Sequence, residues 1–452
     1  MSKKITIIGG GISGLTVLHY LKQKYSQRDD ISIYLVEKEK HLGGTINTFK
    51  LEKALIESGP NGFLNSKPRT LELIKELSLE NALIEADQQA KIRYILKHNR
   101  LQPIPTKPQE FFRSSILNPI QKLRLLTEVI QPKKELRREN VYEFAQRRLG
   151  KGAADWLIDP MVSGIYGGDA HKIGLSAAFP RMAELEQKYG SLFKAMHALK
   201  KTNGRAGPMP NGTLMSFQSG MKQLIDALGQ KYKTNITMSS RIKTLAHNGK
   251  KYQIYTDVKA YEADEVYCCA PAYATARLFR SLDHVLADDL DSIEYAPIAV
   301  VSLVYKRSAF ADTPKGFGFL VPSLEKKKLL GVLFDSNIFP NRSAGDQFIC
   351  RAMVGGIRHP DIRSEKTESL LNYTVSELKT ILNIQQEPVA SKIILWTEAI
   401  PQYTTEYIDL QKRIESRLEE HQNLHLAANY WKGIAFNDCI ENAYQAAMKS
   451  NL

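Results

Sequence analysis

Gly9, Gly10, Gly11, Ile12, Ser13 and Gly14 follow the spacing G-x-G-x-x-G. Residues of these types at that spacing cradle a pyrophosphate on backbone N–H groups. Gly9 permits a tight turn, Gly11 lets a phosphate approach the backbone, and Gly14 lets a helix close on a strand. Glu37 stands downstream, where a carboxylate accepts hydrogen bonds from ribose hydroxyls and its charge disfavours a 2′-phosphate. A lone glycine pattern is a weak signal, so the elements that position it decide. Ile5-Thr6-Ile7-Ile8 reads as a strand feeding the glycines. Leu15, Leu18 and Leu21 read as the buried face of a helix leaving them, and residues 31–36 as a second strand ending at Glu37. Strand, glycine turn, helix, strand and acid together predict a βαβ dinucleotide unit.

The residues just beyond Glu37 narrow the ligand. In His41-Leu42-Gly43-Gly44-Thr45, a glycine pair stands just past the acidic residue. That placement is typical of FAD enzymes of the glutathione-reductase-like superfamily and much less so of NAD dehydrogenases. The superfamily usually has Arg where this chain has His41. The turn Gly59-Pro60-Asn61-Gly62 would bring backbone N–H groups to a flavin ring; by itself it reads as an ordinary Gly/Pro turn. Near the other end, Gly433-Ile434-Ala435 begins a turn into a helix expected at 441–449. Donors at that helix start would face the pyrimidine end of a flavin.

Little else reads as reactive chemistry. Cys268, Cys269, Cys350 and Cys439 fit neither a zinc spacing nor a disulfide framework, and are expected to be small buried hydrophobes. No spacing requires Ser/His/Asp or Cys/His machinery, so no catalytic side chain and no metal are expected. The 452 residues are too many for one ordinary core, and two or three domains are expected. No apolar run reaches the ~18 residues of a spanning helix. The chain enters a strand at once, with no room for a signal peptide, so a cytoplasmic location is expected.

The net charge of +14 is concentrated: between Lys91 and Lys151, fifteen Lys or Arg stand against five Asp or Glu. Phe111, Phe112, Ile116, Leu117, Leu123, Leu125 and Leu126 interleave with them. A solvated helical face would look like this, and so would a patch that attracts anionic lipid and inserts shallowly. The membrane patch is the preferred reading. No nucleic-acid-binding fold is evident, and no nucleic-acid partner is expected.

The expected class is α/β: a discontinuous Rossmann-like FAD-binding domain, an α+β substrate domain and a helical membrane-associating insertion. Its parts are expected at 1–89, 206–290 and 421–452 for the FAD domain, 90–205 for the helical insertion and 291–420 for the substrate domain. Prolines 103, 105, 108, 119 and 132 break the insertion, and the glycine-rich residues 203–208 end it. Tyr252, Ile254, Thr256 and Val258 alternate as a half-buried strand should. Residues 263–271 read as the strand that rejoins the nucleotide sheet. Further strands are expected from about 293 to 400, and long helices near 365–383 and 403–420.

Motifs along the whole chain, in order, carry a family resemblance. They include Phe144 to Gly150, Val162 to Asp169, Gly316 to Ser323, Gly331 to Ser336, Ile400-Pro401-Gln402-Tyr403 and Gly433 to Glu441. The chain resembles the protoporphyrinogen oxidases, more the mitochondrial type than the coproporphyrinogen-oxidising type of Gram-positive bacteria. The resemblance implies non-covalent FAD, dioxygen or another electron acceptor, and removal of six hydrogens in three two-electron rounds with release of H2O2. It implies monotopic association with the cytoplasmic face of the cell membrane, with a homodimer and a downstream ferrochelatase as partners to be considered. For the porphyrinogen it implies Arg93 at a propionate, Gly164 beside a pyrrole and Ile298 against the ring. For FAD it implies Gly9, Gly10, Gly11, Ile12, Ser13, Gly14, Glu37, Gly44, Thr45, Gly59, Pro60, Asn61, Gly62, Ile242, Trp396, Gly433, Ile434 and Ala435. Coproporphyrinogen III oxidation and FAD-dependent amine oxidation are the alternatives.

Overall fold

The computed structural model of the protein describes residues 2–133, 138–203, 212–257 and 259–452. Val258 and the glycine-rich residues 204–208 lie outside that set.

The first strand, Lys3–Ile8, is the middle of a five-stranded parallel sheet. On one side lie Ile31–Val36 and the short strand Ile236–Thr237, and on the other Glu265–Cys268 and Leu424–Leu426. Ile5, Ile7, Ile33 and Leu35 are buried, as the apolar runs of a parallel sheet covered on both faces require. Helices Ile12–Lys24, Lys222–Lys231 and Phe436–Met448 contribute Leu15, Leu18, Leu224, Leu228, Ile440 and Ala443 to one core. A three-stranded antiparallel sheet of Ile242–His247, Tyr252–Thr256 and Ala260–Ala263 adds Leu245, Ile254 and Ala263 to the core on the other face. The strand expected at 263–271 is the shorter Glu265–Cys268, paired in register with Ile5–Ile8.

The second layer is a seven-stranded mixed sheet. Its order is Ala390–Pro401, Tyr295–Lys306, Gln347–Gly355, Leu329–Phe334, Gly318–Leu320, Arg93–Lys97 and Arg100–Pro103. Residues paired across a sheet share a face, so the register sorts its side chains. Tyr94, Phe319, Val332, Ala352 and Val301 form one cross-sheet row. That face packs on Leu370 and Leu378 of helix Thr367–Leu382. The opposite face carries the row Arg93, Gly318, Leu333, Arg351 and Ser302, and beside it Ile95, Leu320, Gly331, Met353 and Val300. On this second face Val304 and Ile349 pack on Ala54 and Ile56 of strand Ala54–Glu57.

Two expectations change. The described residues of 90–205 are largely helical, but they open with the hairpin strands Arg93–Lys97 and Arg100–Pro103, which complete the seven-stranded sheet. His98 and Asn99 both have positive φ, 54° and 57°, as a two-residue hairpin turn requires. Tyr94-Ile95-Leu96 supplies the strand propensity that the surrounding prolines obscure. The C-terminal helix starts at Phe436, not at 441, with Ala435 as its N-cap. The apolar spacing Phe436, Ile440, Ala443 and Ala447 buries one helical face from its first residue.

Candidate flavin and substrate cleft

The glycine turn does what its residue types predict. Gly9 has φ +105°, and a Cβ on Gly14 would stand 1.9 Å from the Gly9 carbonyl oxygen, so only hydrogen fits between helix and strand. Among the described residues a Cβ on Gly11 would meet nothing within 4 Å. Open space over a glycine at the start of a helix that no side chain caps is a ready anion cradle. Gly44 and Thr45 lie on its other side, both exposed, and the Gly43 N–H donates to the Gly10 carbonyl at 2.9 Å. Glu37 is buried to 8 % exposure and accepts from the Gly10 N–H at 2.5 Å and the Glu39 N–H at 2.8 Å. A carboxylate has about four acceptor sites, so ribose hydroxyls can still be bound. Ile242 lies close by, since the Ser240 N–H donates to the Glu37 carbonyl at 3.0 Å.

Two connections carry the cleft onward from this clamp. The Ser58 hydroxyl donates to the Thr45 carbonyl at 2.7 Å, which places the Gly59–Gly62 turn beside Thr45. Phe63 then stacks on Phe436 with ring centroids 5.5 Å apart, and Asn437 Nδ2 donates to the Leu64 carbonyl at 2.8 Å. These contacts draw Gly433, Ile434 and Ala435 toward the same turn. The Gly433 N–H donates to Tyr403 Oη at 2.9 Å. Among the described residues no side chain caps the helix that starts at Phe436, so its first donors are available. Burial pushes the Asp438 carboxyl above its usual value, against the pull of Lys67 and the Ala435 N–H. These residues fit FAD: two uncapped helix starts, an open glycine cradle and a ribose carboxylate lie along one cleft.

Trp396 joins the cleft from the other domain, its Nε1–H donating to the Ser58 carbonyl at 2.9 Å. It pairs across the sheet with Ile298. Ile298 is 5 % exposed and clusters with Val300 and Leu330, against Met353 and Trp396. It is therefore packed into the floor of the cleft and not laid open on it. A Cβ on Gly167 would stand 2.7 Å from Ile298 Cδ1, and one on Gly164 would stand 2.5 Å from Leu320 Cδ2. Gly164 thus has a packing role: it lets helix Asp159–Tyr166 close on the sheet, and it remains exposed itself.

Arg93 stands at the rim of this face. Its guanidinium lies over the Phe317 ring at 5.0 Å, and among the described residues it has no hydrogen bond or ion pair. Solvent still reaches it, yet burial by its neighbours pushes its pKa below the ordinary value. A guanidinium at the edge of an apolar face can pair with a carboxylate that reaches it.

Sequence reading missed the groups behind the turn. Arg351 Nη1 donates to the Gly59 carbonyl at 2.6 Å, and its Nε lies 2.9 Å from Asp335 Oδ2. Both side chains are buried. One available signal was an arginine inside the apolar run of strand Gln347–Gly355, where a charge is retained only with a partner. Among the described residues no cluster could hold a metal ion.

Residues 12–449 match the model of the flavin containing amine oxidoreductases. A chloroplast protoporphyrinogen oxidase of spinach, Spinacia oleracea, is 30 % identical over 98 % of this chain and 83 % of its own length. The coproporphyrinogen III oxidase of Bacillus subtilis is 27 % identical over 98 % of this chain and 97 % of its own. A crystal structure of a candidate protoporphyrinogen oxidase from Exiguobacterium superposes with a TM-score of 0.86 at 25 % identity, covering 99 % of this chain and 98 % of that one.

Proposed function

The chain belongs to the flavin-containing amine oxidoreductase family, and from that premise we propose that it oxidises a porphyrinogen to its porphyrin, protoporphyrinogen IX in preference to coproporphyrinogen III. FAD held there would supply a two-electron acceptor for each of three rounds, a hydride and a proton leaving the porphyrinogen each time, with dioxygen as the oxidant that yields H2O2. The residues of the chain have three tasks. The glycine cradle, Glu37 and the start of helix Phe436–Met448 bind and orient the cofactor. Half-buried Met353 and Trp396, seated on the packed Ile298, Val300 and Leu330, meet a flat apolar body and exclude water. Arg93 pairs with a carboxylate at its edge.

The observation that carries the substrate is the unpartnered Arg93 guanidinium beside that floor. It suits a flat ring with acidic side arms and repels the ammonium of an amine substrate. The test is a purified, yellow, FAD-loaded protein given each porphyrinogen in turn. Porphyrin fluorescence is expected to rise faster from protoporphyrinogen IX. The reverse order selects the coproporphyrinogen reading, and oxidation of a simple amine in place of either would overturn both.

The same reading includes attachment to a membrane surface. Phe112, Ile120, Leu123, Leu126 and Ile130 are exposed, at 59, 80, 65, 49 and 78 %. In the same basic segment a recess of about 440 Å³ is lined by Lys97, His98, Arg100, Gln102 and Ser115. Apolar side chains interleaved with cations suit shallow insertion into anionic lipid. Among the described residues no helix is long and apolar enough to cross a membrane, so the attachment proposed is peripheral. Co-sedimentation with anionic vesicles, weakening with salt, is the expected result; no sedimentation would leave a solvated face.

A further inference from the structure

Behind the turn after Ser58 lie four charged side chains that the reaction does not use directly. Glu57, Asp335, Arg342 and Arg351 are 2, 3, 1 and 2 % exposed. Two acids and two bases buried together balance in charge, and each is held. Glu57 accepts from the Met221 N–H at 2.9 Å and the Thr48 hydroxyl at 2.7 Å, with Arg342 Nη2 at 3.4 Å. Arg342 Nη2 also donates to the Ser216 hydroxyl at 2.6 Å. Arg351 differs from Glu57 and Arg342 because it reaches the turn itself.

We propose that Arg351 is a positioning residue: it sets where the Gly59–Asn61 turn, and with it the reactive end of the flavin, stands over the substrate floor. Its Nη1 donates to the Gly59 carbonyl at 2.6 Å, which fixes the plane of the Gly59–Pro60 peptide. Its partner Asp335 accepts from Asn61 Nδ2 at 3.4 Å, on the far side of Pro60. Both anchors come from the substrate sheet and its edge: Arg351 from strand Gln347–Gly355, and Asp335 from the residue after strand Leu329–Phe334. Arg351 also shares its cross-sheet row with Leu333 and Arg93. One rigid sheet therefore holds the flavin-facing turn and presents the floor and its guanidinium rim. Hydride transfer needs reacting atoms about 3–3.5 Å apart, and a shift of about 1 Å costs on the order of a hundredfold in rate. This inference rests on the FAD-dependent reading of the cleft.

The test uses the FAD-loaded protein with Arg351→Lys and Arg351→Met. Lysine keeps the charge opposite Asp335 and loses the bond to Gly59. The expected result for Arg351→Lys is a kcat lower by roughly ten- to a hundredfold with KM for protoporphyrinogen IX within about twofold of wild type. A changed visible circular dichroism of the bound flavin, recorded before any substrate is added, should accompany it, as should a weaker FAD affinity on titration of the apoprotein. A folded Arg351→Lys protein with wild-type kcat, flavin spectrum and FAD affinity overturns the assignment. Methionine also strands Asp335; if that variant does not fold, the lysine variant decides alone. Should the wild type oxidise no porphyrinogen while Arg351→Lys still alters the flavin spectrum and affinity, the substrate reading fails and the positioning role stands.

Discussion

The two ends of the cleft are built in different ways. At the phosphate end the contacts are backbone, and the sequence that makes them is nearly contiguous: a turn, a helix start and one carboxylate within Gly9–Glu37. At the reactive end the contacts include side chains from distant elements. Gly59 is held by Arg351, Ser58 by Trp396 and Asn61 by Asp335. A phosphate asks for N–H groups and room, which any chain can supply with glycines. A substrate floor asks for a particular side-chain surface, which only register across several strands can supply. The phosphate end should therefore fail through sterics, and the reactive end through lost pairing.

The sharpest way to break this contrast is at the glycines. Gly14→Ala would set a Cβ 1.9 Å from the Gly9 oxygen, so a stability loss at the top of the ~1–3 kcal/mol range for overpacking is expected in urea denaturation of the apoprotein. Gly11→Ala has open space around its Cβ. It should leave the apoprotein melting point unchanged and weaken FAD about tenfold, ~1.4 kcal/mol, by filling the cradle. Equal effects from the two would show that Gly11 too is a packing glycine. At the reactive end, Arg93→Ala removes a charge-assisted bond worth about 1.5–3 kcal/mol. KM for a propionate-bearing substrate should rise about tenfold or more with kcat little changed, and unchanged kinetics would remove Arg93 from the site.

A smaller effect tests the cofactor's other helix. Burial holds the Asp438 carboxyl above its usual value. The folded state therefore keeps a proton there that the unfolded chain has released, and stability falls as pH rises from the unfolded value of about 4 through the folded one. Asp438→Asn should remove that slope, stabilising the protein at neutral pH by less than about 1 kcal/mol because the group is partly exposed. The gain should close below about pH 4; a gain independent of pH would mean that packing, not ionisation, is responsible. The smallest stability effect belongs to Leu123→Ser on the exposed ridge, within about 0.5 kcal/mol, while vesicle binding falls.

Legibility in the sequence divides along the same line. The Gly9–Gly14 turn, with Glu37 bonded to it, is legible because local backbone geometry demands glycine or an acid at fixed spacing. The hairpin Arg93–Pro103 was hidden inside a proline-rich, basic segment that reads as helix and loop. Arg93 itself drew attention through family resemblance; its unpartnered state over Phe317 became visible only with the strands assembled. Arg351 and Asp335 were illegible as a pair, because their pairing depends on a register between antiparallel strands that no local pattern states.

The parallel sheet also constrains how the molecule comes into being. Strand Lys3–Ile8 is made before Leu424–Leu426, which covers the outer edge of Glu265–Cys268, and before the helix from Phe436, which emerge some four hundred residues later. At roughly 5–20 residues per second, the glycine cradle waits tens of seconds for its opposite wall. Until Leu424–Leu426 arrives, the edge of Glu265–Cys268 is open to other strands. Capture of a cofactor between both walls therefore waits until the chain has passed Phe436.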